Sequence, residues 1–244
     1  MQALRSRAFD ALLVAWTATF LPALAVLLVL GRPKAPIRAT SRVWARGILI
    51  LLKWTVGLTH REWGRQNIPA GPCLIVANHQ STWETLAFLV LFPDVAIVAK
   101  RELITIPVFG WYLRHSPMII IDRETGTKAL RIMIDQARTT LDEGRSVLIF
   151  PEGTRRDVAE PVRFKRGAEM LYARIGAVVL PVAVDSGRFW PPGRGPKRPG
   201  VITVNYLDPI EAGLSGAAFT ERAEHLLQEG KMSSPAPNEA CREP

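Results

Sequence analysis

The pattern of apolar and polar positions divides the chain into two parts. Residues 11–31 contain no charged side chain and are almost entirely apolar, and residues 47–58 are apolar except for Lys53. The first run is close to the ~20 residues that a helix needs to cross a bilayer core. Beyond Gly64 the apolar runs become short and alternate with helical periodicity. The pattern therefore predicts two apolar helices followed by a region of mixed strands and helices.

The second part of the chain has the pattern of an α/β fold. In residues 126–141 apolar side chains recur at steps of three and four, which predicts a helix with one buried face. Predicted strands cover 73–77, 95–99, 118–121, 147–150, 177–184 and 201–206, and predicted helices cover 84–91, 126–141, 167–175 and 219–228. Short β-rich runs separated by such helices favour a mostly parallel central sheet flanked by helices.

These patterns predict three segments: 1–60 as membrane-anchoring helices, 61–230 as one folded domain, and 231–244 as a disordered tail. Pro22 lies within the first apolar run and predicts a kink there. A cleaved signal peptide is one alternative for this run. Signal peptides have apolar cores of about 7–15 residues that end at small side chains, whereas this run is longer and ends in Gly-Arg-Pro-Lys. We interpret the two runs as helices that dip into or cross a membrane, with ordinary core helices as the alternative.

The net charge of +9 is concentrated in the N-terminal segment. Residues 1–66 contain ten Lys or Arg and two acidic side chains, which gives +8 and leaves +1 for the rest of the chain. Five of these cations lie between residues 32 and 46, beside the apolar runs, as expected at the cytoplasmic, anionic surface of a membrane. Because the remaining chain is nearly neutral, the charge argues against a nucleic-acid partner.

The cysteine count excludes two further classes of protein. Cys73 and Cys241 are the two cysteines of the chain and are far apart in sequence, which does not suit a disulfide scaffold or a cysteine metal site. The sequence shows no cluster of His, Asp and Glu that suggests a metal. We therefore predict a protein of a reducing compartment without a bound metal.

A first chemical motif follows the predicted strand 73–77. It begins with Asn78 and His79 and has a carboxylate, Glu84, five residues after the histidine. Residues at the carboxyl ends of strands line the ligand crevice of an open α/β sheet. A carboxylate in the first helical turn could accept the proton of one imidazole nitrogen and leave the other as a base. Alone the spacing is weak, since a histidine and a glutamate five apart are common by chance.

A second motif follows the predicted strand 147–150. It consists of Phe150-Pro151-Glu152-Gly153-Thr154-Arg155, and further basic residues follow it. A turn with exposed N–H groups and an arginine suits a phosphate. A solvated arginine-rich loop is an equally good interpretation of this segment alone.

Together the motifs resemble the glycerolipid acyltransferases, and above all the bacterial 1-acyl-sn-glycerol-3-phosphate acyltransferases. The first block of that family is asparagine, histidine, four residues and aspartate, and here Asn78, His79 and Glu84 take those places. Three more blocks follow in order: 99–103 with 106–110 and its continuation to Arg123, then 150–155, then 180–183. Four blocks in order over residues 78–183 are far more specific than any single one.

The resemblance implies transfer of a fatty acyl group to the sn-2 hydroxyl of lysophosphatidic acid, which forms phosphatidic acid in phospholipid biosynthesis. His79 would be the general base and Glu84 would orient it. N–H groups around Gly153 would stabilise the oxyanion. The substrate-binding residues would be Lys100, Arg101, Arg123, Glu152, Gly153, Thr154 and Arg155.

The resemblance also implies the partners and the location. The acyl donor would be acyl-CoA or acyl-carrier protein, a co-substrate, and no cofactor is expected. Membrane lipid would surround the anchor of a bacterial-type inner membrane protein, with the acyltransferase domain, 61–230, facing the cytoplasm.

One departure from the family pattern keeps alternatives open. Glu84 adds a methylene where the family usually has aspartate, which changes the reach of the carboxylate toward His79. The alternatives are the same chemistry on another lysolipid, such as a lyso-ornithine lipid or a lysophospholipid, or a membrane lipid-binding protein without catalysis.

Overall fold

A computed structural model describes residues 1–193 and 195–232 of the chain. Its centre is a seven-stranded sheet. In chain order the strands are β1 (Leu58–Trp63), β2 (Leu74–Ala77), β3 (Ala96–Lys100), β4 (Ile119–Ile121), β5 (Val147–Ile149), β6 (Val179–Val184) and β7 (Gly200–Tyr206). Across the sheet they lie in the order β1-β7-β6-β2-β5-β3-β4.

Most of the sheet is parallel. The neighbouring strands β6, β2, β5, β3 and β4 run in one direction. Strand β7 pairs antiparallel with β6, and β1 pairs parallel with β7 at the edge. Every residue of β2 and β6 is buried, as expected for central strands covered on both faces. The predicted α/β fold with a mostly parallel sheet is confirmed.

Helices cover both faces of this sheet. In the described residues they are α1 (Gln2–Ala18), α2 (Leu21–Val29), α3 (Lys34–Thr55), α4 (Trp83–Leu91), α5 (Phe109–His115), α6 (Thr127–Asp142), α7 (Arg166–Ile175) and α8 (Gly216–Met232). Helices α1, α3 and α4 pack on one face, and α6, α7 and α8 pack on the other. The two clusters take alternate residues of the same strands, as the period of a β-strand requires.

The first apolar run is interrupted where the sequence predicts a kink. Helix α1 ends at Ala18 and α2 begins at Leu21, with Pro22 in the first turn of α2. A proline is tolerated there because the N–H that it lacks would have no partner within the helix. The stretch Gln2–Val29 is long and apolar enough to cross a membrane, and 17% of its most apolar window is buried.

The second apolar run belongs to α3, and its two sides have different environments. Ala45, Ile48 and Leu52 are fully buried against the sheet, whereas Ile50 and Trp54 are exposed. The inner side of α3 is therefore part of the core, in agreement with the alternative of a core helix. The outer side carries apolar residues that are exposed.

Two of the five cations of the linker and α3 serve a different purpose from the one expected of them. Arg38 and Arg42 lie 3.0 Å and 2.7 Å from Asp94 and form ion pairs with its carboxylate. These contacts tie α3 to the loop before β3. The pairing neutralises part of the charge that the sequence assigned to the membrane surface.

The sequence pattern does not predict β1. Residues 59–62 are four consecutive polar residues that directly follow an apolar helical run, so they lack the alternation of apolar and polar positions that predicts a strand. They form one because the exposed edge of β7 supplies a hydrogen-bonding partner along its whole length. Strand β1 spans the boundary that the sequence predicts between residues 60 and 61.

A basic side chain holds α1 against the domain. Lys197, in a loop rich in proline and glycine, places its Nζ 2.6 Å from Oδ1 of Asp10. The same ammonium lies 5.1 Å from the ring of Phe9 and 4.8 Å from that of Trp190. The N-terminal helix is therefore attached to the domain by a specific, largely buried contact.

The start of the predicted tail is helical. Lys231 and Met232 are the last residues of α8, and Nζ of Lys231 donates to the carbonyl of Glu160 at 2.5 Å. Lys231 is buried because α8 packs on the sheet up to its final turn. The rest of the predicted tail, 233–244, lies outside the described residues.

Candidate active site

The two sequence motifs lie at the carboxyl ends of adjacent parallel strands. Strand β2 leads into His79, and β5 leads into Phe150 and Pro151. From β2 the chain proceeds to β3 and β4 on one side, and from β5 it proceeds to β6 on the other. Ligands of open α/β sheets bind at such a reversal of strand order. The fold therefore places both motifs at its expected ligand crevice.

Asn78 fixes the loop that carries the histidine. Its side-chain amide donates to the carbonyl of Val184 at 2.8 Å and accepts from the N–H of the same residue at 2.8 Å. These two hydrogen bonds to the main chain of Val184 resemble the pairing of neighbouring strands and extend it to the end of β6. The position of His79 is therefore set by the sheet.

The histidine and the carboxylate of the first motif are in contact. Nδ1 of His79 lies 2.9 Å from Oε1 of Glu84, the second residue of α4. A carboxylate at this distance keeps the proton on Nδ1 and leaves Nε2 as a proton acceptor. The additional methylene of glutamate thus does not prevent the contact that the family pattern predicts.

Glu84 is fully buried, and its carboxylate accepts hydrogen bonds from its own loop and from the loop after β6. Besides His79, its Oε1 accepts from the N–H groups of Gln80 at 2.7 Å and Ser81 at 2.6 Å. Its Oε2 accepts from the hydroxyl of Ser186 at 2.7 Å. Donors to an ionised carboxylate stabilise its charge and hold it in one position. Ser186 was not identified from the sequence, because its approach depends on the loop after β6.

The ring of His79 is also held from the side. It stacks on Phe150, with 4.1 Å between ring centroids and 18° between planes. Since Phe150 directly follows the neighbouring strand β5, the second motif supports the first. The imidazole is fixed on both its edge and its face.

Glu152 lies beneath the histidine and does not face the crevice. It is 2% exposed, and its Oε2 accepts the N–H of His79 at 2.6 Å. Burial raises the pKa of Glu152 to about 7, against the lowering effect of that N–H and of Lys231 and Arg156. The sequence predicted that Glu152 binds substrate, whereas in the structure its buried carboxyl holds the main chain of His79.

A cavity of about 520 Å³ opens beside His79. Its apolar wall includes Leu13, Trp44, Ile48 and Trp190, and so draws on α1 and α3. The sequence assigned these helices only to the membrane. Their role in the cavity was not predicted, because no periodicity shows which side of an apolar helix meets a ligand.

Three of the expected cations line this cavity: Lys100, Arg123 and Arg155. Arg155 also donates to the hydroxyl of Thr82 at 2.8 Å, and Arg123 donates to the carbonyl of Gly153. Burial lowers the pKa of Arg123, partly offset by Glu102. An anion entering the cavity would meet three basic side chains around one apolar space.

The loop of the second motif turns at Gly153. This residue has φ +72°, a conformation that favours glycine, and its N–H donates to the carbonyl of Phe150 at 3.0 Å. Gly153, Thr154 and Arg155 line the cavity, as expected. The N–H of Gly153 is engaged, so the expected oxyanion donors would be the other N–H groups around it.

Arg101 lies apart from this group. Its guanidinium is 69% exposed and pairs with Asp122 at 3.1 Å. In the part of the chain that the structure describes, the residues lining the cavity include its neighbour Lys100 and do not include Arg101. Successive residues at the end of β3 face different directions, so one of the two adjacent cations turns away.

Comparisons with known proteins agree with this geometry. Residues 61–185 match the family described as acyltransferase. Over 205 residues the chain is 38% identical to a 1-acyl-sn-glycerol-3-phosphate acyltransferase of Pseudomonas aeruginosa, covering 81% of this chain and 80% of that protein. It is 31% identical over 151 residues to the human 1-acyl-sn-glycerol-3-phosphate acyltransferase beta, covering 61% of this chain and 54% of the human protein.

The fold is similar to a solved structure. The crystal structure of the 1-acyl-sn-glycerophosphate (LPA) acyltransferase PlsC from Thermotoga maritima superposes with a TM-score of 0.75. The match covers 97% of this chain and 99% of that one, at 21% sequence identity. At that identity the similarity concerns the fold.

Proposed function

Since the chain belongs to the acyltransferase family, we propose that it transfers a fatty acyl group from a thioester donor to the sn-2 hydroxyl of lysophosphatidic acid. The product is phosphatidic acid. The observation that carries the proposal is the position of His79, held by Glu84 at 2.9 Å beside a cavity of apolar walls and three cations. Apolar walls suit a fatty chain, and basic side chains suit a phosphate monoester.

In the proposed reaction Nε2 of His79 takes the proton of the acceptor hydroxyl as its oxygen attacks the thioester carbonyl. The resulting tetrahedral intermediate carries its negative charge on the former carbonyl oxygen. When it collapses, the carbon–sulfur bond breaks and the imidazolium returns the proton to the leaving thiolate. The products are an ester and a free thiol, and His79 is again neutral. General acid–base catalysis of this kind contributes about 10²–10⁴-fold.

Glu84 acts through His79 in this proposal. Its contact with Nδ1 selects the tautomer that has a free Nε2, and its charge stabilises the imidazolium that forms during attack. The donors on Glu84 from Gln80, Ser81 and Ser186 hold the carboxylate in place. This network argues against the alternative of a lipid-binding protein without catalysis, for which such an alignment has no use.

The developing oxyanion needs hydrogen-bond donors in the loop after β5. We assign this role to the N–H groups of Thr154 and Arg155, because both residues line the cavity and the N–H of Gly153 is already bonded. Preorganised donors of this type are worth about 10²–10³-fold in rate.

The phosphate of the acceptor is assigned to Lys100, Arg123 and Arg155, the cations of the cavity. The donor is acyl-CoA or acyl-carrier protein. The thioester supplies the activated acyl group and His79 the base, so the proposed reaction requires no cofactor.

A membrane location follows from the chemistry of the acceptor. Each methylene moved from lipid into water costs about 0.8 kcal/mol, so extracting a lysolipid with a long chain would cost on the order of 10 kcal/mol. An active site that borders exposed apolar helices avoids this step. We propose that α1 and α2 lie in an inner membrane and that the acyltransferase domain faces the cytoplasm.

The test is an assay of the full chain in detergent with radiolabelled oleoyl-CoA and lysophosphatidic acid. The expected product is phosphatidic acid, and phospholipase A2 should release the label, which places it at sn-2. Parallel reactions contain lyso-ornithine lipid or lysophosphatidylethanolamine. Transfer to one of these lipids and not to lysophosphatidic acid would show that the proposed acceptor is wrong. If neither CoA nor carrier-protein donors supported transfer to any acceptor, the proposed enzymatic function would be contradicted.

A further inference from the structure

A second cavity, of about 270 Å³, lies on the opposite side of the second motif. Helices α6 and α7 supply much of its lining, through Ala129, Met133 and Ala168. These helices cover the face of the sheet away from α1, α3 and α4. The second cavity therefore opens on the side of the domain that is remote from the exposed apolar helices.

The two cavities share a wall. Val98, Arg123, Phe150 and Gly153 line both of them. Phe150 is the residue on which His79 stacks, and Arg123 donates to the carbonyl of Gly153 beside it. A molecule that reaches this wall from the second cavity is thus separated from the proposed base, His79, only by the side chain of Phe150.

The second cavity has an apolar interior and a basic rim. Lys165 lines it and is exposed to solvent, and Arg123 lines it from the shared wall. Gly167 also lines it, and a Cβ at that position would meet only the end of Met133, at 3.9 Å. The cavity therefore has an open slot next to Gly167 and two cations, Lys165 and Arg123, in its lining.

The two substrates of the proposed reaction differ in the phase from which they arrive. The lysolipid comes from the membrane, and α1 and α3, with exposed Val14, Leu12 and Ile50, border the first cavity. The hydrophilic part of the thioester comes from water, and the outer face of α6 is charged, with Arg131 and Asp135 exposed. Each cavity thus opens toward the phase of one substrate.

We propose that the second cavity holds the phosphopantetheine arm of the acyl donor, with its phosphate at Lys165 and its sulfur end directed toward Phe150 and His79. This proposal rests on the proposed function. The volume of 270 Å³ is slightly below the roughly 300–1,000 Å³ of sites that enclose a whole drug-sized ligand. It suits the slender arm that CoA and acyl-carrier protein share, and leaves the nucleotide or the carrier outside.

Filling the slot tests the proposal in the full-length enzyme. Gly167→Leu should raise the KM for oleoyl-CoA by about tenfold or more and leave the KM for lysophosphatidic acid within about twofold. Gly167→Ala, which adds one methyl group, should raise the donor KM less. Lys165→Ala should raise it about three- to tenfold, and Arg131→Ala, which removes an exposed cation outside the cavity, is the matched control. Lys165→Ala carries the kinetic test if Gly167→Leu fails to fold.

Direct binding separates this proposal from the proposed function. Calorimetry with CoA and with 4′-phosphopantetheine should show that Gly167→Leu weakens both by the same factor, and adenosine 3′,5′-bisphosphate should compete poorly with CoA. An unchanged donor KM, a raised KM for lysophosphatidic acid in its place, or strong competition by the bisphosphate would overturn the assignment. If the wild type bound CoA in this way but transferred nothing to lysophosphatidic acid, the proposed acceptor would fail and the second cavity would stand.

Discussion

At the scale of single residues, Glu84 is the feature that makes this chain differ from its family pattern. A carboxylate one methylene longer still reaches Nδ1 of His79, at 2.9 Å, from the second residue of α4. The longer side chain also allows a second contact, in which Oε2 of Glu84 accepts a hydrogen bond from the hydroxyl of Ser186. The side chain thus bridges the loops after β2 and β6.

Substitution of Glu84 should separate its charge from its length. Glu84→Gln keeps the length but removes the charge, so kcat should fall by about 10²–10⁴-fold, as when the carboxylate of a catalytic triad is replaced by an amide. For Glu84→Asp the decrease in kcat should be smaller, about tenfold, because the shorter carboxylate cannot reach both His79 and Ser186. Steady-state kinetics check both, with Ser186→Ala as the control for the second contact. Glu84→Gln with wild-type kcat would refute the orienting role.

The pKa of Glu152, raised to about 7 by burial, has a consequence for stability. The folded carboxyl holds its proton where the unfolded one, with a pKa near 4.5, has lost it, so the free energy of unfolding should decrease as pH rises from about 4.5 to about 7. Its contribution should level off above that pH. Glu152→Gln should flatten this part of the profile, measured by denaturant unfolding at pH 5, 6, 7 and 8. The same slope in both proteins would show that another group titrates.

The sequence motifs pointed to one crevice for His79, Glu84 and three of the cations, and the structure brings them together there, because these residues follow strands and form a recognisable spacing. The sequence placed Glu152 and Arg101 at the substrate and did not identify Ser186. The direction of a side chain in a loop depends on partners remote in sequence, such as Lys231 near Glu152 and Asp122 beside Arg101. A motif gives the residue type and the strand end but not that direction.

At the scale of elements, the sheet was predictable and the N-terminal helices only in part. Strands such as β2 and β6 are buried on both faces, so their apolar composition is enough to predict them. Strand β1 is polar and depends on the edge of β7, which no local pattern reveals. Helix α3 contributes to both the core and the exposed surface, and its apolar residues do not distinguish the two environments.

The contact between Asp10 and Lys197 should hold α1 to the domain. Asp10→Asn leaves a largely buried ammonium without its carboxylate and should lower the free energy of unfolding by about 1–2 kcal/mol, less than for a fully buried pair because Asp10 is half exposed. Lys197→Met should cost less, since its side chain still packs on Phe9 and Trp190. Thermal unfolding should show a loss of a few °C for Asp10→Asn. A larger loss for Lys197→Met would mean that the charge itself stabilises the fold.

At the scale of the whole molecule, the two faces of the sheet meet different surroundings. One face bears α1, α2 and α3 with their exposed apolar side chains, and the other bears α6, α7 and α8 with charged outer surfaces. The proposed site lies between these two faces, at the carboxyl ends of the central strands β2 and β5. In the proposed reaction, this arrangement would let a lipid and a water-soluble thioester reach one histidine from opposite sides.

The exposed face of α2 should be the membrane contact. Val26 and Val29 are 57% and 87% exposed, so Val26→Asp with Val29→Asp should leave the fold intact. Each aspartate placed deep in a bilayer costs about 2.5–3.5 kcal/mol, so the variant should lose its binding to anionic vesicles in a sedimentation assay. Gln136→Asp with Thr139→Asp, on exposed positions of α6, is the control. Unchanged sedimentation of the α2 variant would place the membrane contact elsewhere.

The most direct test concerns the proton acceptor itself. With oleoyl-CoA and lysophosphatidic acid, His79→Ala should lower kcat by about 10³-fold or more, because Nε2 is the proposed base. The KM for lysophosphatidic acid should stay within about threefold and the melting temperature should be close to that of the wild type, since the cations of the cavity and the core are untouched. A His79→Ala variant that keeps kcat within tenfold of the wild type would contradict the account.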